Sequence, residues 1–301
     1  MSRTEHIFYD LGQSLDVDAL RIIERPKPDI FLCGGADTTS ARHLFMKFAK
    51  KEHDFSSRVV LAEEVITSWF RPDSYSNLLE LEEDLASIAS IIPIFLESPG
   101  SFAEIGSFAS NKELAKKVLV LQNEEFSRNE SFINLGPLHK IRTTNGDDSV
   151  LCYSYKNIDE YFSDIKDNII ERLRVKEKKF YSSKLGDISI LIIELLRIAQ
   201  LAKKQDIKLA LSEANINVAD GQYNKIFYLL ERMNCIIKRQ VGKNIYYTAQ
   251  VEEKLLRFSF KKNSPTSDLN EWSFLVSQYY SANDKNWIKL WNSIFAVGGL
   301  K

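Results

Sequence analysis

Residues 91–106 read IIPIFLESPGSFAEIG, an apolar run that is closed by Pro99-Gly100 and followed by a helical pattern. This order is typical of a buried strand that turns sharply into a helix. In open α/β sheets ligands bind at such junctions, and this one carries two carboxylates, Glu97 and Glu104. The turn alone leaves two interpretations open. Glu104 is a rigidly held catalytic group, or it complements the helix dipole in an ordinary capped turn.

Outward from this junction, the first half of the chain alternates apolar runs with amphipathic stretches, which predicts βαβ units and a parallel sheet. The predicted strands are Asp29–Cys33, Arg58–Leu61, Ile91–Leu96, Lys117–Gln122 and Ser149–Tyr153. The predicted helices are Asp16–Glu24, Ser40–Lys51, Asn77–Ser90, Ser101–Lys116 and Ile158–Arg174. We therefore expect a three-layer, doubly wound α/β domain with a five-stranded parallel sheet over residues 1–175. The segment Arg128–Thr144, with Gly136-Pro137, is predicted to be a long loop.

Beyond a charged hinge at 172–179, residues 176–301 form the second predicted domain. Its expected elements are helices at Asp187–Lys203, Lys208–Ala214 and Gln222–Met233, then strands at Cys235–Gln240 and Ile245–Ala249. Three helices followed by a β-hairpin are typical of an α+β winged helix-turn-helix domain, with Lys225, Lys238, Arg239 and Lys243 facing nucleic acid. The alternative is a small helical domain for dimerisation or partner docking. The aromatic tail, Asp268–Phe295, is expected to pack as helices rather than to stack on bases.

Charge divides the chain in the same way. Residues 171–301 hold 22 Lys+Arg against 13 Asp+Glu, whereas residues 1–170 hold 18 against 28. An acidic first half and a basic second half favour a polyanionic partner for the second domain. The three cysteines and four histidines are scattered without metal-binding spacing, so we expect no metal site. No run approaches a membrane span and the start lacks a signal-peptide pattern, which predicts a cytoplasmic protein without membrane contact.

Three predicted strand ends meet at one edge of the sheet. The first carries Cys33-Gly34-Gly35 and Asp37, which is a candidate cap for the helix near Ser40. Arg42, in preference to His43, is placed to reach a phosphate, and Glu63 follows the second strand. The chain has neither a Gly-x-Gly-x-x-Gly fingerprint nor a Walker motif. The excess of carboxylates suits a cationic transition state, such as that of N-glycosidic bond cleavage.

Three segments carry a family resemblance, namely FLCGG at 31–35, ESPGSFAEIGSF at 97–108 and SFINLGP at 131–137. They resemble the effector toxins of retron antiphage systems, whose first domain is similar to nucleoside 2-deoxyribosyltransferases and whose second is a winged helix. The resemblance implies that Glu104 is the nucleophilic glutamate. Cys33-Gly34-Gly35 replaces a tyrosine expected after the first strand, a departure that weighs against simple nucleoside base exchange. A surface role is expected for Glu82 and Asp84 on the preceding helix.

The resemblance also implies a biological role. The chain is expected to be a toxin that cleaves the N-glycosidic bond of a nucleotide-type metabolite, with NAD the leading substrate and no cofactor. A reverse transcriptase and its RNA–DNA hybrid product would restrain it, and a homo-oligomer is expected. The expected substrate-binding residues are Gly34, Gly35, Asp37, Arg42, Glu63, Glu97, Ser98, Gly100 and Asn134. Of these, Asn134 is the candidate for a side chain that completes the active site of a neighbouring subunit. The alternatives are a catalytically inactive, nucleotide-sensing DNA-binding regulator and an oligomerising scaffold.

Overall fold

The computed structural model describes residues 6–66, 75–128, 130–173 and 177–296. The helices are α1 (Ile7–Ser14), α2 (Ala41–Ala49), α3 (His53–Ser56), α4 (Ala62–Ile66), α5 (Leu78–Ile88), α6 (Pro99–Ser110), α7 (Lys112–Ala115), α8 (His139–Asn145), α9 (Phe162–Arg172), α10 (Leu185–Ala199), α11 (Lys204–Glu213), α12 (Asp220–Arg232), α13 (Leu269–Asn283) and α14 (Lys285–Trp291). The strands are β1 (Arg21–Ile22), β2 (Ile30–Phe31), β3 (Val59–Val60), β4 (Ile92–Leu96), β5 (Val118–Asn123), β6 (Val150–Tyr153), β7 (Lys178–Lys179), β8 (Ile236–Val241), β9 (Asn244–Ala249) and β10 (Leu256–Arg257).

The chain divides into two compact units, Lys27–Val175 and a second made of Met1–Pro26 with Lys176–Lys301. The predicted boundary after residue 175 coincides with this division. The first 26 residues, however, group with the C-terminal unit instead of the first. They do so because α1 packs on α11 and because β1 pairs antiparallel with both β7 and β10. Of the predicted hinge at 172–179, residues 174–176 lie outside the described residues.

The unit Lys27–Val175 is built on parallel strands, as predicted. β2 pairs with β3, and β4 pairs with β5, which pairs with β6. Bridges at Ile30↔Ile91 and Cys33↔Ile94 join the two groups, so the strand order is β3-β2-β4-β5-β6. Every residue of β4 is buried, since helices cover both faces of the sheet. Aromatic side chains fill one face, where the ring of Phe45 lies 5.6 Å from that of Phe95 and 5.5 Å from that of Phe162.

The second unit contains the predicted succession of helices and hairpin. α10, α11 and α12 are followed by the antiparallel pair β8–β9, and Gly242 in their turn has a φ of 61°. A further antiparallel bridge joins Ala202, between α10 and α11, to Tyr247 of β9. The tail is helical, as predicted, and Trp272, Tyr280 and Trp287 are buried, whereas Phe274 and Phe295 are exposed. Tyr280 stacks on Trp287 with ring centroids 5.3 Å apart, and both side chains are buried.

Two predicted elements are wrong. The expected helix at Asp16–Glu24 is a single 3₁₀ turn, Val17–Ala19, followed by β1, because pairing with distant strands overrides the local pattern. The expected loop at Arg128–Thr144 contains a helix that passes through Pro137. The helix widens into π turns over Asn134–Leu138 and continues as α8, which explains how it accommodates a proline.

Candidate active site

The candidate site lies where the strand order reverses. β2 and β4 are neighbours, and the chain leaves their carboxyl ends towards opposite sides of the sheet, which is the position where doubly wound folds bind ligands. Cys33 donates its N–H to Pro93 O at 2.9 Å, and Phe95 donates its N–H to Cys33 O at 3.1 Å. These bonds place the loop after Cys33 beside the turn that begins at Glu97. The first and third predicted strand ends therefore meet.

Glu104 lies on α6, which starts with a reciprocal cap. Ser98 Oγ accepts from the N–H of Ser101, and Ser101 Oγ accepts from the N–H groups of Ser98 and Glu97 at 3.1 and 3.2 Å. The capping box fixes the first turn of the helix and therefore the direction of the next one. Glu104 Oε2 is buried without a hydrogen-bond partner among the described residues. A buried carboxylate oxygen left unpaired is costly in a structural role and useful in a reactive one.

The pKa of Glu104 is raised to about 7, first by burial and then by the charge of Glu82. The charge of Glu63 adds to the increase, whereas Arg42 and a hydrogen bond from the Cys33 thiol oppose it. Burial and the nearby carboxylates in turn raise the pKa of the Cys33 thiol, so that Cys33 stays protonated and remains a donor. A carboxyl group with a pKa near 7 is suited to exchanging a proton at neutral pH, as a general acid or base does.

Glu82 belongs to this group, contrary to the surface role expected from the sequence. Its side chain is partly buried on α5, and burial followed by the charge of Glu63 raises its pKa. One signal in the sequence could have shown this, namely an acidic run on the helix that precedes the buried strand β4. Asp84, on the same helix, instead accepts a 2.9 Å hydrogen bond from Tyr75 Oη.

Glu97 has a different environment, although it is only seven positions from Glu104. Its Oε1 accepts from the N–H groups of Gly35 and Arg42 at 3.1 and 3.0 Å, and its Oε2 accepts from that of Ala41 at 2.6 Å. Three backbone donors engage this carboxylate, so it anchors the loop after β2 to the start of α2. Glu104 is the carboxylate that remains available for chemistry.

Gly34 and Gly35 are packed against side chains of the chain itself. Gly34 has a φ of +145°, and a Cβ there would lie 2.9 Å from Arg42 Cβ and 3.0 Å from Phe95 Cβ. At Gly35 a Cβ would lie 2.8 Å from Ser40 Cβ. Any residue larger than glycine would therefore displace the loop, and the close approach of a ligand to this pair stays a prediction. Gly100, in contrast, is exposed, and a Cβ there would make only an ordinary contact, 3.8 Å from Ser98 Oγ.

Arg42 is buried and its guanidinium is used within the chain. Nε donates to Gly35 O at 2.8 Å, and the two terminal nitrogens donate to Glu63 at 2.7 and 3.1 Å. Burial opposes ionisation of the half-exposed Glu63, but these hydrogen bonds from Arg42 hold its pKa below the usual value. Arg42 thus shapes the site as part of a salt bridge, and no free phosphate-binding role follows from its position.

Two further predicted residues, Asp37 and Asn134, have partners of their own. Asp37 is exposed and does not cap α2, because the cap is Ser40, whose Oγ accepts from the N–H of His43. Asn134 lies in the π turns after β5, where its Oδ1 accepts from Gln122 Nε2 at 2.8 Å and its Nδ2 donates to Phe126 O at 2.9 Å. These bonds hold the Asn134 amide within its own segment.

The predicted nucleic-acid residues are found on the hairpin and on α12. Lys238, Arg239 and Lys243 are exposed, and Lys225 is partly buried. Because successive residues of a strand point to opposite faces, the side chains of Lys238 and Arg239 lie on opposite faces of the hairpin. Sequence reasoning missed Lys204, whose Nζ lies over the ring of Phe227 and whose pKa is lowered to about 8, first by burial.

No set of three or more His, Cys, Asp or Glu side chains among the described residues is arranged to hold a metal ion. Among the described helices, none combines the length and the apolar character needed to cross a membrane.

Fold and site together define a mixed α/β protein with a carboxylate site at the point where a parallel sheet reverses its strand order. The chain belongs to the STM3845 retron effector protein family, which it matches over residues 38–238. It is 34% identical over 160 residues to the "Retron Ec86 putative ribosyltransferase/DNA-binding protein" of Escherichia coli, covering 52% of this chain and 51% of that protein. It is 37% identical over 123 residues to the "Retron Ec73 putative ribosyltransferase/DNA-binding protein" of the same organism, covering 38% of each. The matches therefore span about half of these curated relatives or less.

Proposed function

We propose that the chain is a retron effector toxin that breaks the N-glycosidic bond of a nucleotide, with Glu104 as the nucleophile. One observation carries the proposal. Glu104 lies at the reversal point of the sheet with one buried oxygen unpaired and a pKa near 7. Membership of the retron effector family and the ribosyltransferase names of the two relatives support it.

The proposed reaction joins Glu104 to the sugar. A carboxylate oxygen attacks C1′, and the electron pair of the C1′–N bond leaves with the base. Water, or another acceptor, then releases the sugar from Glu104 and returns the carboxylate. Glu82 and Glu63 contribute negative charge near the positive charge that develops at C1′.

NAD is the substrate we favour. Its nicotinamide nitrogen is positively charged, so breaking the bond from C1′ to that nitrogen releases a neutral base. Partly buried carboxylates attract such a cationic group, and its approach would lower the pKa of Glu104 and favour the reactive form. In this scheme NAD is consumed as substrate and no cofactor is required.

The first unit is then a nucleoside deoxyribosyltransferase-like domain, and the second is a winged helix with additional C-terminal helices. The three helices, the hairpin and the bridge from Ala202 to Tyr247 support the second assignment. We propose that the second unit binds the retron reverse transcriptase or its RNA–DNA product, and that this binding holds the toxin inactive. The basic balance of residues 171–301 and the DNA-binding names of both relatives support this partner. A homo-oligomer in the cytoplasm remains our expectation.

A metabolite profile of cells expressing the chain without its retron tests the proposal. Wild type should deplete NAD and arrest growth, whereas Glu104→Ala should do neither at equal protein level. Glu113→Ala, which removes an exposed carboxylate from α7, should behave as wild type. Depletion that persists in Glu104→Ala would contradict the role of Glu104.

The DNA-binding names of the relatives also favour a second candidate, a catalytically inactive regulator that senses a nucleotide and binds DNA. The same profile separates the two. Unchanged metabolites in cells expressing wild type, together with sequence-specific DNA binding by the purified protein, would support the regulator.

A further inference from the structure

Doubly wound folds bind phosphate at the N-terminus of a helix that follows a strand, because the first turn offers unpaired N–H groups and a positive dipole end. At the reversal point of this sheet, α2 follows β2 and α6 follows β4, and α2, with nine residues, is the helix whose first turn contacts Glu97. The state of its first turn decides whether a substrate phosphate can bind there.

The first turn of α2 is already saturated by the chain itself. Glu97 accepts from the N–H groups of Ala41 and Arg42, and Ser40 Oγ accepts from that of His43. The N–H of Leu44 donates to Ser40 O at 3.0 Å, so each of the first four donors has a partner. Glu97 therefore supplies the negative charge and the acceptors that a bound phosphate would supply.

The surroundings are built around this carboxylate. Gly35 donates its N–H to Glu97 Oε1, and a Cβ on Gly35 would lie 3.2 Å from that same oxygen. The side chain that could otherwise attract a phosphate here, Arg42, is committed to Gly35 O and to Glu63. A substrate phosphate would have to displace Glu97 and would also meet the negative charge of Glu63.

We propose that Glu97 is a specificity-determining residue, an internal anion that excludes substrate phosphates from the N-terminus of α2. This role rests on the proposed function, because only a nucleotide substrate brings phosphates to the site. It limits the substrate class to nucleotides that carry their phosphates away from the β2–α2 loop. Removing the carboxylate should convert the loop into a phosphate site.

Titration of the purified full chain with inorganic phosphate tests this role without any need for catalysis. Thermal unfolding is followed in sodium phosphate and in sodium chloride of equal ionic strength, for wild type, Glu97→Ala and the matched control Glu113→Ala. Glu97→Ala should show a saturable, phosphate-specific rise in Tm, about 3–6 °C at ten times the dissociation constant. Wild type and Glu113→Ala should show no such rise.

Two results would overturn the role of Glu97. One is a folded Glu97→Ala protein without a phosphate-specific rise, and the other is an equal rise in wild type. If the alanine variant does not fold, Glu97→Ser is titrated in its place and read in the same way. The phosphate-dependent rise in Tm does not require glycosidase activity. The proposed function and the proposed role of Glu97 can therefore be contradicted independently.

Discussion

Ser107 Oγ donates a 2.9 Å hydrogen bond to Glu83 Oε1 and ties α6 to α5. Glu104 lies one turn before Ser107 on the same flank of α6, and Glu82 precedes Glu83 on α5. The bond therefore holds two carboxyl groups close enough for the charge of Glu82 to raise the pKa of Glu104. Much of the proposed chemistry depends on this pairing of helices.

The pH dependence of activity should reflect the interaction between Glu82 and Glu104. Because Glu104 attacks in its ionised form, kcat/KM for NAD should rise with pH through about 7. Glu82→Gln removes a like charge and should move this rise by about half to one pH unit towards acid. A pH–rate profile of both proteins measures it, and a profile that does not move would mean that Glu82 does not act on Glu104.

Stability should depend on pH through the same residue. The pKa of Glu104 in the folded chain, about 7, lies above its ordinary value of 4.5, so folding favours the protonated form. That stabilisation is complete below pH 4.5 and is lost as the pH rises through 7. Glu104→Gln, neutral throughout, should therefore raise the free energy of unfolding by about 1–3 kcal/mol at pH 8.5 and by much less at pH 5. Urea titrations at the two pH values measure the difference, and an equal effect at both would contradict it.

Part of this arrangement could be predicted from the sequence because it is local. β4 and β5 are buried on both faces and read as continuous apolar runs, and the turn that carries Glu104 follows directly from the residues around Pro99. The helices and hairpin of the second unit were predictable for the same reason, since each has its own periodicity and turn residues.

Other features depend on contacts between distant segments. The N–H groups that bind Glu97 come from residues 55 to 62 positions earlier, so nothing near Glu97 separates it from Glu104. The sequence likewise cannot show that β1 pairs with β7 and β10, or that α5 packs so that Glu82 is partly buried. A Gly-Pro pair usually indicates a loop, and only the π turns around Pro137 reconcile it with a helix.

The two partners of the Arg42–Glu63 salt bridge should contribute unequally to the free energy of unfolding. Arg42→Met removes a buried guanidinium that donates to Gly35 O and pairs with Glu63, and it should cost about 2–4 kcal/mol. Glu63→Gln should cost less than Arg42→Met, because the amide oxygen still accepts from the Arg42 guanidinium and half of the Glu63 side chain is exposed. Denaturant unfolding of the two variants tests this order, and the reverse order would contradict it.

The hairpin offers a test of nucleic-acid contact. Lys238 and Arg239 point to opposite faces, so a nucleic acid on one face should be weakened by only one of Lys238→Glu and Arg239→Glu. The sensitive variant, and Lys243→Glu at the turn, should lower the slope of log K against log salt by about one unit per lost phosphate contact. Binding of the RNA–DNA hybrid is measured with Lys262→Glu as the control for charge. If Lys238→Glu, Arg239→Glu and Lys243→Glu all bind the hybrid as wild type does, the hairpin is not part of the interface.

The most direct test of the account is NAD cleavage by the purified full chain. Wild type and Glu113→Gln should release nicotinamide at equal rates, whereas Glu104→Gln should lower kcat at least 10³-fold, an order typical of losing a nucleophile. Glu104→Gln keeps the shape of the side chain and should stay folded by circular dichroism. A Glu104→Gln protein that is folded and cleaves NAD as fast as wild type would contradict the central claim.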